Sequence, residues 1–106
     1  MKTVITSTGN SNSSKFDEKF GRSGWFCLYD GETSGTAFFK NDTENRSNGA
    51  GIKSAEKMVE LGADKVISGD FGPKAKDMLD KFNIQMVILD DRDLNISDII
   101  NKLNNQ

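Results

Sequence analysis

KVISGDFGPKAKDML, residues 65–79, holds a strand, a turn and a helix start in immediate succession. Lys65 to Ser68 form a short apolar run, and Gly69-Asp70-Phe71-Gly72 supplies turn residues. Pro73 suits a first helical turn, because it has no N–H to lose there and its φ is already helical. Ala75, Met78, Leu79 and Phe82 then recur at helical spacing.

Working outward, the segment before this unit places Ile52, Ala55, Met58 and Val59 at the same spacing, with Gly62 where a helix would stop. The segment after it, IQMVIL (84–89), reads as a strand. Ile96, Ile99, Ile100 and Leu103 mark a C-terminal amphipathic helix that Asn95 or Ser97 can cap. Toward the N-terminus, KTVITS (2–7) is strand-like and runs into TGNSNSS (8–14), a cluster of turn formers expected to be a mobile loop. WFCLYD (25–30) puts Trp25, Cys27 and Tyr29 on one face and Phe26 and Leu28 on the other. Asp30-Gly31 opens a tight connection to GTAFFK (35–40), so the first three strands form a meander. The polar stretch NDTENRSN (41–48) separates this meander from the first helix.

The resulting order is β-β-β-α-β-α-β-α. Strands joined through helices run parallel by the right-handed crossover rule. The expected architecture is a ribonuclease H-like, mixed five-stranded sheet flanked by helices, in one domain over residues 1–106. That length suits a single hydrophobic core, and 35% apolar against 28% charged residues is enough apolar content to offset the entropy of ordering.

Composition narrows the function. Fourteen basic and sixteen acidic residues give a formal charge of -2, which does not attract a polyanion, so nucleic acid is not an expected partner. No apolar run reaches the ~20 residues needed to span a bilayer, and MKTVITSTGN lacks the apolar core of a signal peptide. A cytoplasmic protein with no membrane partner is expected, and the single Cys fits a reducing compartment. Without His there is no imidazole base, no Ser-His or Cys-His pair and no His metal ligand.

The informative residues are glycines ahead of helices. Asn48-Gly49-Ala50-Gly51 precedes the first helix, and Gly69-Asp70-Phe71-Gly72-Pro73 precedes the second, with Lys74 and Lys76 just beyond. A helix start exposes unpaired N–H groups and partial positive charge, and a missing side chain lets an anion come close. If both turns share one end of the sheet, they form a crevice for an anionic ligand; each also serves simply as a sharp strand-to-helix turn. Phe20-Gly21-Arg22 brings a guanidinium that can reach such a ligand as a planar anion partner. Cys27 is the only thiol, but within an apolar strand it reads as a buried, inert Cys. Asp90, Asp91 and Asp93 offer oxygen ligands for a hard cation, or a solvated turn.

Taken in order, FGR (20–22), NGAG (48–51), ADKVISGDFGPKA (63–75) and NIQMVI (83–88) resemble the dinitrogenase iron-molybdenum cofactor biosynthesis family over nearly the whole chain. The resemblance implies a ribonuclease H-like carrier rather than an enzyme, related to proteins that bind or hand over the iron-molybdenum cofactor or its iron-sulfur precursor in nitrogenase assembly. A cofactor-assembly protein would be its partner. It also implies that the FGR, GAG and FGP segments form the binding region. Many members place a His just before the GxG; Asn48 stands there in this chain, so imidazole ligation is excluded and backbone N–H groups, Arg22 and Lys74 are left as cluster-holding groups, with the Cys27 thiolate a weak further candidate for a soft metal.

Two other readings compete with a carrier of an anionic metallocluster or other small anion. A divalent-metal phosphotransfer enzyme would use Asp70 with the acidic cluster, but Lys2 to Ser7 holds no carboxylate and the first helix supplies only Glu56 and Glu60. A protein-interaction domain would use the glycines for turning alone.

Overall fold

The computed structural model describes residues 1–42 and 48–105; of the polar stretch at 41–48, positions 43–47 lie outside the described residues. Eight elements follow one another: β1 (Lys2–Ser7), β2 (Trp25–Asp30), β3 (Gly35–Lys40), α1 (Ala50–Glu60), β4 (Lys65–Ser68), α2 (Pro73–Lys81), β5 (Gln85–Ile88) and α3 (Ile96–Asn104). They build an α/β protein with one mixed sheet in the order β3-β2-β1-β4-β5. β1 pairs antiparallel with β2, as β2 does with β3, whereas β1–β4 and β4–β5 are parallel. Antiparallel strands therefore build one half of the sheet and parallel strands the other; the short 31–34 turn makes β2–β3 a hairpin, and α2 is the crossover that joins parallel β4 and β5.

The sheet separates two apolar cores, and neighbouring strand residues divide between them. Val4, Phe26 and Val66 pack with Ala55 and Met58 of α1 and Ala75 and Leu79 of α2. Ile5, Cys27, Tyr29 and Ile67 pack with Ile96, Ile99 and Ile100 of α3. The period-two alternation of strand side chains puts α1 and α2 on one face and α3 on the other. β1, at the centre, is buried from Thr3 to Ser7, while the edge strand β3 is largely exposed.

Helix ends are closed carefully at one terminus. After α1, Gly62 takes the left-handed conformation (φ 71), its N–H donates to the Val59 carbonyl, and the Ala63 N–H donates to Met58. After α2, Asn83 does the same (φ 59), with its N–H on Asp80 and the Ile84 N–H on Leu79. Both are Schellman closures, completed by the apolar pairs Ala63 with Met58 and Ile84 with Leu79 within one core.

Two expectations change. The spacing puts Phe82 on the buried stripe of α2, but the helix stops at Lys81, and Phe82, whose own backbone (φ -97, ψ 12) has already left the helix, is 50% exposed. The 8–14 loop is tied down rather than loose: the Ser97 and Ile96 N–H groups donate to the carbonyls of Asn12 and Ser14, and Thr8 N–H donates to Lys15. No described helix is long and apolar enough to cross a membrane.

Candidate functional site

The N-termini of α1 and α2 are brought together. Gly49, Gly51, Ile52, Gly72, Pro73, Lys74 and Ala75 line one open cavity of about 280 Å³. Larger hollows exist, including one of about 440 Å³ between β3 and α1, but its walls carry Lys40, Asp42, Lys53, Glu56, Lys57 and Glu60. There opposite charges already meet, at 3.9 Å for Lys53–Glu56 and 3.8 Å for Lys57–Glu60. Volume does not select the site; its chemistry does.

Among the described residues, neither α1 nor α2 has a side-chain cap at its N-terminus, and neither carries an acidic residue in its first turn. Their first N–H groups and positive helix ends are thus presented bare around the cavity.

The glycines here have different physical reasons. Gly49 sits at φ 72 and needs the freedom that only glycine has without strain. A Cβ on Gly21 would lie 3.0 Å from the Gly51 nitrogen and 3.2 Å from the Ala50 carbonyl carbon, so the 20–22 segment packs directly on the first turn of α1. A Cβ on Gly69 would come within 2.7 Å of Glu18. Gly51 and Gly72 have no such excuse. A Cβ on Gly51 would make an ordinary 3.5 Å contact with Ala75, one on Gly72 would meet nothing within 4 Å, and Gly72 has an ordinary φ of -65. Neither packing nor backbone conformation requires these two side chains to be absent, and both positions line the cavity.

The other expected site residues fall into three groups. Phe20 and Phe71 are buried and meet with ring centroids 5.1 Å apart and planes tilted by 42°, and Ala50 is buried as well; these hold the segments together from beneath. Arg22 and Asn48 are exposed and flank the site, outside the described lining of the cavity. Lys74 lies in the lining and also borders an apolar groove of about 320 Å³ with Ile52, Met78 and Phe82.

Cys27 is elsewhere. It is fully buried in the core beneath α3, across the sheet from the cavity, and burial pushes its thiol up to about 12. Neither position nor charge state fits a ligand for a cluster at the glycine turns. Asp90, Asp91 and Asp93 form an exposed turn in which the Asp91 carboxylate accepts the Asp93 N–H at 3.1 Å. Asp70 is exposed too, and among the described residues no three or more His, Cys, Asp or Glu side chains gather where they could hold a metal ion.

One organising residue was not singled out in the sequence. Asp17, 8% exposed, accepts the Lys19 N–H at 3.0 Å and the Gly24 N–H at 3.3 Å, so its carboxylate spans the base of the loop carrying Gly21 and Arg22. Asn41 and Ser54 then donate to the Gly21 carbonyl, at 3.1 and 3.3 Å. The Asp-x-Lys spacing at 17–19 fits a local side-chain turn, but its reach to Gly24 depends on the fold.

Fold and site together define a small α/β protein with bare, glycine-floored helix starts facing one cavity. The chain belongs to the dinitrogenase iron-molybdenum cofactor family, whose model matches residues 1–106. It is similar to the apo form of the orange protein from Desulfovibrio gigas, with 26% identity and a TM-score of 0.90 over 98% of this chain and 87% of that one. It shares its fold with a putative NifB protein from Thermotoga, at 21% identity and a TM-score of 0.83, again over 98% and 87% of the two chains. No curated protein sequence matches it significantly.

Proposed function

We propose that this protein is a non-catalytic carrier that holds an anionic metallocluster, the iron-molybdenum cofactor or its iron-sulfur precursor, or another small anion, at the paired starts of α1 and α2. The observation carrying this reading is the pair Gly51 and Gly72, bare where neither backbone conformation nor packing asks for glycine. The residues suit one mode of holding and not another. With no His in the chain and Cys27 protonated across the sheet, direct ligation by imidazole or thiolate has no donor at the cavity. Backbone N–H groups of two helix starts, with Lys74 in the wall and Arg22 at the flank, suit outer-sphere binding of a cluster that is already complete.

The family supports a molybdenum-related cargo. The sheet order, with β1 central between an antiparallel and a parallel half, supports the ribonuclease H-like description of the fold. A single domain acting in the cytoplasm, receiving or delivering cargo through a cofactor-assembly protein and not engaging nucleic acid, completes the proposal.

Anaerobic titration with isolated iron-molybdenum cofactor and with its iron-sulfur precursor, reading metal retained after gel filtration, tests it. Gly72→Asp is the discriminating variant. An Asp at that helix start supplies the missing cap and should raise stability by about 0.5–1 kcal/mol, while its charge should cut anion retention severalfold. Arg22→Ala should weaken retention too. Equal retention by all three proteins, or none by the unmodified chain, would end the reading.

A further inference from the structure

We propose that Asn48 is a self-modification site, and that its conversion to aspartate or isoaspartate switches the cavity from accepting anions to rejecting them. The switch rests on the anion-binding reading above; the modification does not.

Asn48-Gly49 is the only Asn-Gly pair among the ten asparagines of the chain. Both residues are exposed. Gly49 precedes α1, and among the described residues its N–H donates no hydrogen bond, so that nitrogen is not engaged in the helical ladder. It also carries no Cβ to crowd a ring closing on it.

The chemistry needs only solvent. The Gly49 nitrogen gives up its proton to a solvent base and attacks Cγ of Asn48. The N–Cγ bond forms, the Cγ–Nδ2 bond breaks, and Nδ2 leaves as ammonia after taking up a proton. Water then opens the five-membered imide at one of its two carbonyls, leaving aspartate or, by the other opening, isoaspartate. No oxidant or reductant takes part.

The charge appears where it matters most. Among the described residues α1 has no acidic residue in its first turn and no side-chain cap, so a new carboxylate beside Gly49 would add negative charge to that bare helix start. It would favour the helix and compete with any anion for the same N–H groups. Opening to isoaspartate adds a methylene to the main chain and moves Gly49 within the cavity wall.

The test ages the full chain in mildly alkaline buffer and follows each asparagine by peptide mapping, with isoaspartate assayed separately. Asn10 and Asn12, exposed and each followed by serine, are the internal comparators. Asn48 should convert well ahead of both. Fresh chain, aged chain, aged Asn48→Gln and fresh Asn48→Asp are then titrated with isolated iron-molybdenum cofactor. Retention should fall about three- to tenfold in the aged chain and in Asn48→Asp, and hold in aged Asn48→Gln. Conversion of Asn48 no faster than Asn10 and Asn12 overturns the site. Conversion with retention unchanged overturns the switch. Fresh chain that retains nothing overturns the binding reading, and the switch with it, while the peptide map still decides the modification.

Discussion

The start of α3 and the starts of α1 and α2 face the same electrostatic problem and answer it in opposite ways. At α3, Asn95 accepts the Asp98 N–H at 2.8 Å, Asp98 returns the bond by accepting the Asn95 N–H at 3.1 Å, and the acid lies against the helix dipole. At α1 and α2 the corresponding positions are Gly49 and Gly72, with no cap and no acid among the described residues. The chain therefore contains the means to close a helix start and uses it away from the cavity only. Stability is left unclaimed at the two places where an anion would supply the missing charge.

That contrast can be broken or sharpened by substitution. The largest effect should come from Gly21→Ala, whose Cβ would press on the backbone of α1 at 3.0–3.2 Å; a loss of about 1–3 kcal/mol is expected in chemical denaturation, because backbone on both sides must give. Asn95→Ala removes the capping box and should cost about 1 kcal/mol by the same measurement, with cluster retention unchanged since α3 lies across the sheet. A matching loss of retention would show that the two kinds of helix start are not independent. Gly51→Ala should stabilise by up to about 1 kcal/mol, because the added methyl meets only Ala75 and alanine is the better helix former. Were retention of the cluster unaffected as well, the bareness of α1 would lose its functional meaning.

The smallest effect at neutral pH concerns Cys27. Its thiol is raised from an ordinary value of 9.0 to about 12, so the folded protein binds that proton more tightly than the unfolded chain. This contribution to stability is fully present below about pH 9 and is lost as pH rises toward 12. Folded protein at pH 8 should resist thiol alkylation, and Cys27→Ser should flatten the alkaline fall in stability. Rapid native alkylation would put a reachable thiol back among the candidate ligands.

Much of the fold was legible in the sequence because it is carried by local period. The alternation of WFCLYD divides Phe26 from Cys27 across the sheet, and the helical spacing of Ile96, Ile99 and Ile100 gives α3 its buried face. Asn95 was readable as a cap from its place before that pattern. Phe82 was misplaced because the spacing of α2 continues on paper for one residue after the helix has turned away. The site was legible only as a pair of glycine turns. Gly21 and Gly69 look no different in sequence from Gly51 and Gly72, since what separates them is the distance from a hypothetical Cβ to another segment's backbone. Asp17 was missed for the same kind of reason: its bond to Gly24 spans a loop whose shape it helps to set.

The bare starts of α1 and α2 carry a consequence for how such a site can be lost. Donors supplied by the peptide group survive every substitution except proline. A full mutational scan around the cavity should therefore find positions that reject bulk and negative charge, and few that demand a particular side chain. What is inherited here is an empty shape, and it disappears when something is added.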